Sequence, residues 1–403
     1  MTKFLYGAAV QGIQGFIFQT NKLLEIVGAS DLVEAICTEQ FANALGKDFN
    51  TLCKDPNAVV NAAGNIKYIF TNREACEKVV RSFPKQIVDF APGITISQAV
   101  VEYEDSESFG DVVMELERRL RIQRNRPMRS ASLGLMGIER SRHTGLPVVE
   151  RRNGEHYDAA TLTKLFDGNG ERSKTTQKLC YKVFGKVSAD RIAFNISDIT
   201  ANNEWIAIVH ADGNGLGQVV QTIGRNPDIF KRFSQCLDQA TTKAAQDAYK
   251  DTIANLSGII PLRPIVLSGD DHTVICRGDV AIPYTKAFIE HFEKRTKELL
   301  GDILREHSIF KEGKDYLSAC AGIAFVKSSY PFYYGYKLAE ELCSAAKKDT
   351  KELSGFLTDP SNLPASSIMF HKVQDSFVTS FEAIEKRELT MGDISLKFGP
   401  YYV

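Results

Sequence analysis

The sequence predicts an α+β protein made of two copies of one β-α-β-β-α-β unit joined by an irregular segment. Apolar runs and helical stretches alternate in that order between about residues 205 and 348. The same order recurs, more faintly, between about 4 and 122, and no clear period is present from about 124 to 203. The order is that of a ferredoxin-like split βαβ arrangement. Expected boundaries are 1–123, a linker subdomain at 124–203, and 204–403 with a C-terminal helical extension.

The second copy gives the clearer signals. Trp205 to His210 (W-I-A-I-V-H) is a short apolar run suited to a buried strand, and about 230–253 carries apolar residues at helical spacing. Pro264–Leu267 and Thr273–Cys276 are β-prone runs separated by Ser268-Gly269-Asp270-Asp271-His272, which reads as a hairpin. A helix at about 282–300, a strand at 317–326 and, after the break at Tyr330-Pro331, a helix at about 332–348 complete the unit. In the first copy the strands fall at 4–10, 58–60, 66–70 and 94–103, and the helices at 31–45, 73–89 and 109–122.

Composition narrows the function classes. The chain has 403 residues, 49 basic against 50 acidic, a balance that argues against a protein dedicated to coating nucleic acid or an anionic membrane. Eight scattered cysteines without a C-x-x-C pair fit neither a zinc ribbon nor a disulfide scaffold, and point to a reducing cytoplasm. Gln11 and Gln14 interrupt the apolar N-terminal stretch, so neither a signal peptide nor a membrane span is expected.

Two loops carry the chemistry: H-A-D-G-N-G-L-G at 210–217 and S-G-D-D at 268–271. In this topology the first strand neighbours the hairpin, so Asp212, Asp270 and Asp271 converge at one end of the sheet. Three adjacent carboxylates repel unless a cation neutralises them, and oxygen ligands favour Mg²⁺ or Mn²⁺ over zinc. Gly213, Gly215 and Gly217 allow close backbone approach, and the helix start behind them offers N–H groups to phosphate. Either motif alone would be an ordinary turn, because Asp-Gly and Gly-Asp pairs accept positive φ. Their occurrence at matching ends of one sheet is the signal.

These loops, with A-G-I-A-F-V-K-S-S-Y-P at 321–331 and L-A-E-E-L-C-S-A-A-K-K at 338–348, resemble the catalytic palm of the large polymerase-like subunit of type III CRISPR effector complexes. G-I-Q-G-F-I-F at 12–18 and G-A-S-D-L-V-E at 28–34 resemble that subunit's first, degenerate palm, and K-F-G-P-Y at 397–401 echoes its end. The family is related to GGDEF-type and class III nucleotidyl cyclases, has the signature G-G-D-D, and makes cyclic oligoadenylates from ATP. The resemblance implies a catalytic second palm beside a degenerate first. It implies metal held by Asp212, the Gly213 backbone, Asp270 and Asp271, and nucleotide held by Gly213, Asn214, Gly215, Ser268, Gly269, Lys347 and Lys348. Ser268 departs from the family's glycine, which suggests altered preference rather than lost activity. Gln11 stands where Asp212 would be, and Gly64-Asn65 where Asp270-Asp271 would be, so the first copy should be structural or bind an acceptor nucleotide. Neither an HD nuclease nor a zinc module between the palms is expected.

The implied function is an Mg²⁺- or Mn²⁺-dependent nucleotidyltransferase that joins NTPs, ATP first among them, into cyclic or linear oligonucleotide messengers, releasing pyrophosphate, in antiviral signalling. Its implied partners are NTPs and a separate effector reading the product; RNA, CRISPR-type proteins and a second copy of the chain are left open, and no membrane is expected. The competing reading is a palm-pair scaffold that senses nucleotides without turnover. Arg118, Arg119, Arg121, Arg124, Arg126 and Arg129 read as a solvated helix end or, alternatively, an anion site. His210 and His272 read as neutral packing beside the aspartates or, alternatively, a general base; Tyr330, Phe332, Tyr333, Tyr334 and Tyr336 read as core or, alternatively, a base-stacking group, and Trp205 as core.

Overall fold

The computed structural model describes all residues except 1, 63, 127–135, 143, 153, 167–176, 201–204, 225 and 375–379; of Ala62 only the backbone is described. It divides into two compact units: Met1–Thr176 with Ile223–Arg232, and Gln177–Thr222 with Phe233–Val403. Each contains one principal sheet.

The first unit holds strands β1 (Thr2–Gln11), β2 (Ala58–Ala62), β3 (Asn65–Phe70) and β4 (Thr95–Glu104), in the sheet order β2-β3-β1-β4, all pairs antiparallel. Helices Arg73–Phe90 and Phe109–Arg124 follow β3 and β4. The latter lies close on the sheet over Gly7, where a Cβ would come within 2.7 Å of Leu116 Cδ2. Leu5, Val101, Val112, Leu116 and Leu120 form the core beneath it. The helical stretch expected at 31–45 begins earlier, at Leu23, and passes through a wide π turn at Ile36–Gln40 before ending at Ala44. A separate hairpin pairs β5 (Val148–Arg152) with β6 (Glu155–Asp158).

The second unit repeats the strand order. Strands β7 (Trp205–Gly213), β8 (Leu262–Ser268), β9 (Asp271–Arg277) and β10 (Ala319–Lys327) run β10-β7-β9-β8 in the sheet, the counterpart of β4-β1-β3-β2. Helices Pro227–Thr252, Gly278–Glu306 and Phe332–Ser354 connect or follow them. The sheet is wider than the four strands expected. Strand β11 (Ser367–Lys372) pairs parallel to β10, and, after a helix at Phe381–Glu388 and a small hairpin of β12 (Thr390–Met391) with β13 (Ile394–Ser395), β14 (Tyr401–Tyr402) pairs with β11. The C-terminal extension is therefore mixed, with one helix and an added sheet edge.

Period-two alternation sorts the second sheet into two faces. On one face His272 lies under the helix Gly278–Glu306 among Tyr284, Phe288 and Phe292, all fully buried. On the other lies the helix Phe332–Ser354. It comes so close that a Cβ on Gly322 would fall 1.9 Å from the Ala339 carbonyl oxygen, and one on Gly335 would fall 2.5 Å from Ile208 Cδ1. These two glycines set the helix against the sheet and so fix where Lys347, further along it, can reach.

Candidate metal and nucleotide site

Register brings the acidic residues together. The last β7–β9 pair is Ala211↔His272, so the next step places Asp212 across from Asp271; on its other side Asp212 pairs with Cys320 of β10. Ser268↔Asp271 closes β8–β9 around a two-residue turn of Gly269 and Asp270. Gly269 takes φ +62° at the first central position, the left-handed conformation that a type II′ hairpin reserves for glycine. From the helix Pro227–Thr252, the buried Thr241 hydroxyl donates to the Gly269 carbonyl at 2.6 Å and pins this turn. Asp270 lies against the β7 end: a Cβ on Gly213 would sit 3.2 Å from Asp270 Oδ2.

The charges at this rim are unevenly shared. Lys347 donates to Asp212 Oδ2 and, at 2.8 Å, to the Gly213 carbonyl. Burial opposes ionisation of Asp212, but its hydrogen bond with Asp270 and the Lys347 ammonium outweigh that and hold its carboxyl below the usual range. Burial, then the Asp212 partner, push Asp270 well above the usual carboxylate range. Asp271 rises to about 7, again from burial first and the Asp212 charge second. Burial alone would depress the Lys347 ammonium, yet Asp212 holds it above its ordinary value. The rim therefore combines one carboxyl held low beside an ammonium with two carboxyls raised by burial and by the neighbouring negative charge.

The remaining expected residues divide. Gly213 presents its carbonyl to the site, Gly215 takes φ +75°, and Ser268 flanks the turn. Asn214 does not face outward. It is fully buried, donating to Ser318 Oγ at 3.1 Å and Cys320 Sγ at 3.3 Å, so it braces the loop from within. Lys348 is exposed on the helix surface.

Three further residues belong to the neighbourhood. His210 faces the same side as Asp212, two positions along the strand; His210, Asp212 and Asp271 each offer an atom lying within 4.8 Å of the others. Burial lowers the His210 pKa, and the nearby Glu340 carboxylate opposes that fall and adds a little to the rise of Asp271; Glu340 lies seven residues before Lys347, on the same helix face. Thr241 is the third. Period-two and heptad-like spacing from Asp212 and Lys347 point to His210 and Glu340; nothing local marks Thr241.

Other expectations resolve as follows. His272 faces the opposite side, its Nε2 2.8 Å from the Tyr284 hydroxyl, and burial takes its pKa down to about 3. Phe332 and Tyr336 are core, whereas Tyr333 and Tyr334 are about half exposed. Trp205 is only partly buried, with the Lys372 ammonium 4.2 Å from its ring centre. Arg118 and Arg119 pair with Glu115, Arg121, Arg124 and Arg126 are exposed, and Arg129 lies outside the described residues. Among the described residues no helix is long and apolar enough to cross a membrane.

Among the described residues of the first unit, the matching rim shows no carboxylate. The β1–β3 register sets Ala9 across from Asn65, and Gln11 sits two residues beyond, paired with Thr95 of β4. By register Ala9, rather than Gln11, occupies the place of Asp212, while Gly64 and Asn65 take those of Asp270 and Asp271.

This geometry coincides with a family match. Residues 205–353 match the second palm domain of Cas10/Cmr2. The match runs from the first residue of β7 almost to the end of the Phe332–Ser354 helix, so all three aspartates and Lys347 lie within the matched stretch. The resemblance to the polymerase-like subunit of type III CRISPR complexes is thereby upheld. Solved structures with the same fold include a Csm1-Csm4 cassette in complex with cA4 (12% identity, TM-score 0.54) and one in complex with AMPPNP (12%, 0.53), each covering 86% of this chain and 53% of the other. A Csm1-Csm4 subcomplex of the type III-A CRISPR-Csm interference complex is similar too (13%, 0.52). The chain thus spans about half the length of these proteins. Comparison with curated proteins gave no match.

Proposed function

We propose that the chain is a divalent-metal-dependent nucleotidyltransferase of two palms, the second catalytic and the first degenerate, that joins ATP or other NTPs into linear or cyclic oligonucleotides. The observation that carries this reading is the meeting of Asp212, Asp270 and Asp271 around the Lys347 ammonium at one rim of a Cas10/Cmr2-like palm. The ammonium is a stand-in cation, and the all-oxygen donors beside it suit Mg²⁺ or Mn²⁺. Asp212, Asp271 and the Asp270 turn would hold the metal, with the Gly213 carbonyl beside them.

When bound, Mg²⁺ or Mn²⁺ supplies acidification of the attacking hydroxyl and neutralisation of the departing pyrophosphate. A ribose 3′- or 2′-oxygen forms a bond to the α-phosphorus of a second nucleotide while the bond to the bridging β-phosphate oxygen breaks. Lys347 places fixed positive charge beside the triphosphate, and Thr241, through Gly269, keeps the Asp270 turn from drifting. The backbone after Gly213, free of side chains at Gly215 and Gly217, lets phosphate approach. CRISPR-type protein partners, RNA, an effector reading the product and an antiviral role accord with the similarity to Csm1-Csm4 structures bound to cA4 and AMPPNP.

The test is incubation of the purified chain with ATP and Mg²⁺ or Mn²⁺, with pyrophosphate release and product mass as readouts. The expected result is an oligoadenylate product, lost in Asp270→Asn and Asp271→Asn proteins that remain folded. ATP bound but unconverted, with the same binding in both variants, would favour a nucleotide-sensing scaffold.

A further inference from the structure

We infer that His210 is a metal-contacting residue of this rim and tilts its selectivity from Mg²⁺ toward first-row transition ions, Mn²⁺ among them. The inference rests on the metal-dependent reading above and adds a nitrogen donor to it. His210 and Asp212 share one face of β7, and Asp271 reaches the same place from β9, each offering an atom within 4.8 Å of the other two. The imidazole is held in place from two sides. Nδ1 lies 3.1 Å from the Thr273 hydroxyl, and the Tyr336 ring meets it edge-on with centroids 5.6 Å apart. In the tautomer whose Nδ1–H donates to Thr273, Nε2 keeps its lone pair for an ion, the arrangement by which outer partners fix a ligating histidine. Lys347 already shows that the Asp212 side of this cluster accommodates a cation. His272, bonded to Tyr284 and turned to the opposite face, takes no part.

The chemistry follows from donor type. Mg²⁺ is small, prefers oxygen and gives up water reluctantly, so an imidazole adds little for it. Transition ions gain from nitrogen donors in the order Mn²⁺ < Co²⁺ < Ni²⁺. His210 should therefore contribute nothing measurable to Mg²⁺ affinity and progressively more along that series.

Pulsed electron paramagnetic resonance of the full chain loaded with Mn²⁺ is the primary test, because it reads histidine ligation without relying on turnover. The expected spectrum shows ¹⁴N coupling to the bound ion, absent in His210→Asn. In parallel titrations His210→Asn should weaken Mn²⁺ roughly tenfold, Co²⁺ more, and Mg²⁺ less than about twofold. Bound Mn²⁺ without ¹⁴N coupling, or equal losses for Mn²⁺ and Mg²⁺, overturns the role of His210 and leaves the carboxylate site standing. Mn²⁺ binding that survives Asp212→Asn and Asp271→Asn overturns the carboxylate site itself, and with it this inference.

Discussion

The two hairpins, Ala62–Asn65 in the first unit and Ser268–Asp271 in the second, occupy the same place in the same strand order, yet only one gathers charge. The second closes with a two-residue turn of Gly269 and Asp270. It puts Asp270 and Asp271 beside Asp212 and answers them with Lys347; the first has Asn65 across from Ala9 and the Gly64 carbonyl accepting from the Val10 N–H. The difference teaches that the strand order is a platform that forms with or without carboxylates, and that the proposed chemistry rests on four side chains at its rim. Burying those charges is costly, and the shifts of Asp270 and Asp271 record the cost.

The largest effect should come from removing the charge on the second hairpin. Asp270→Asn and Asp271→Asn are expected to lower nucleotide transfer by about 10³-fold or more, measured as pyrophosphate release. The reverse experiment, Gly64→Asp, should not create a site. Gly64 has φ +76°, and a Cβ there would come within 2.5 Å of Ile13 Cδ1, so a loss of roughly 1–3 kcal/mol in denaturant unfolding is expected.

Lys347→Met should cost about 10²-fold in rate while the helix, anchored at Gly322 and Gly335, remains intact by circular dichroism. Lys348→Ala, one residue on but exposed, should change the rate less than about twofold and serves as its control.

Stability against pH gives a subtler comparison. Asp271 has a folded pKa of about 7 and Asp270 is also raised, so between the ordinary carboxylate range and about 7 the folded chain holds protons that the unfolded chain has released. Stability of the metal-free protein is therefore greatest below that window and falls as pH rises through it. Asp212, held low, works in the opposite sense at lower pH. Thermal unfolding should show a lower Tm at pH 8 than at pH 5, a smaller drop in Asp271→Asn, and recovery at pH 8 on adding Mn²⁺. Apart from the Lys348 control, the smallest effect is expected at the turn's tether: Thr241→Val should cost about 1 kcal/mol in stability with a several-fold loss in rate.

Much of this was legible in residue patterns because the signals are local. Apolar runs and the Ser-Gly-Asp-Asp turn mark β7, β8, β9 and β10 to within a few residues, and with them the meeting of the aspartates. The long-range features were not. β11 pairs in parallel with a strand some forty residues earlier, and β14 is two residues long, so neither carries a periodic pattern of its own. The helix at Leu23–Ala35 is obscured by Gly28, whose place is dictated by a distant contact: a Cβ there would overlap the Lys164 carbonyl oxygen at 1.8 Å. The inward turn of Asn214 likewise depends on Ser318 and, in β10, Cys320, both about a hundred residues away. Register, too, is a property of paired strands, which is why Ala9 displaces Gln11 as the counterpart of Asp212.

The most direct trial is anomalous diffraction from crystals of the full chain soaked with Mn²⁺ and a non-hydrolysable ATP analogue. We expect manganese beside Asp212 and Asp271, triphosphate oxygens among its ligands, and no peak at the Gly64–Asn65 turn. Nucleotide seated elsewhere, with Lys347 still clasping Asp212 and no metal between the two loops, would contradict the account.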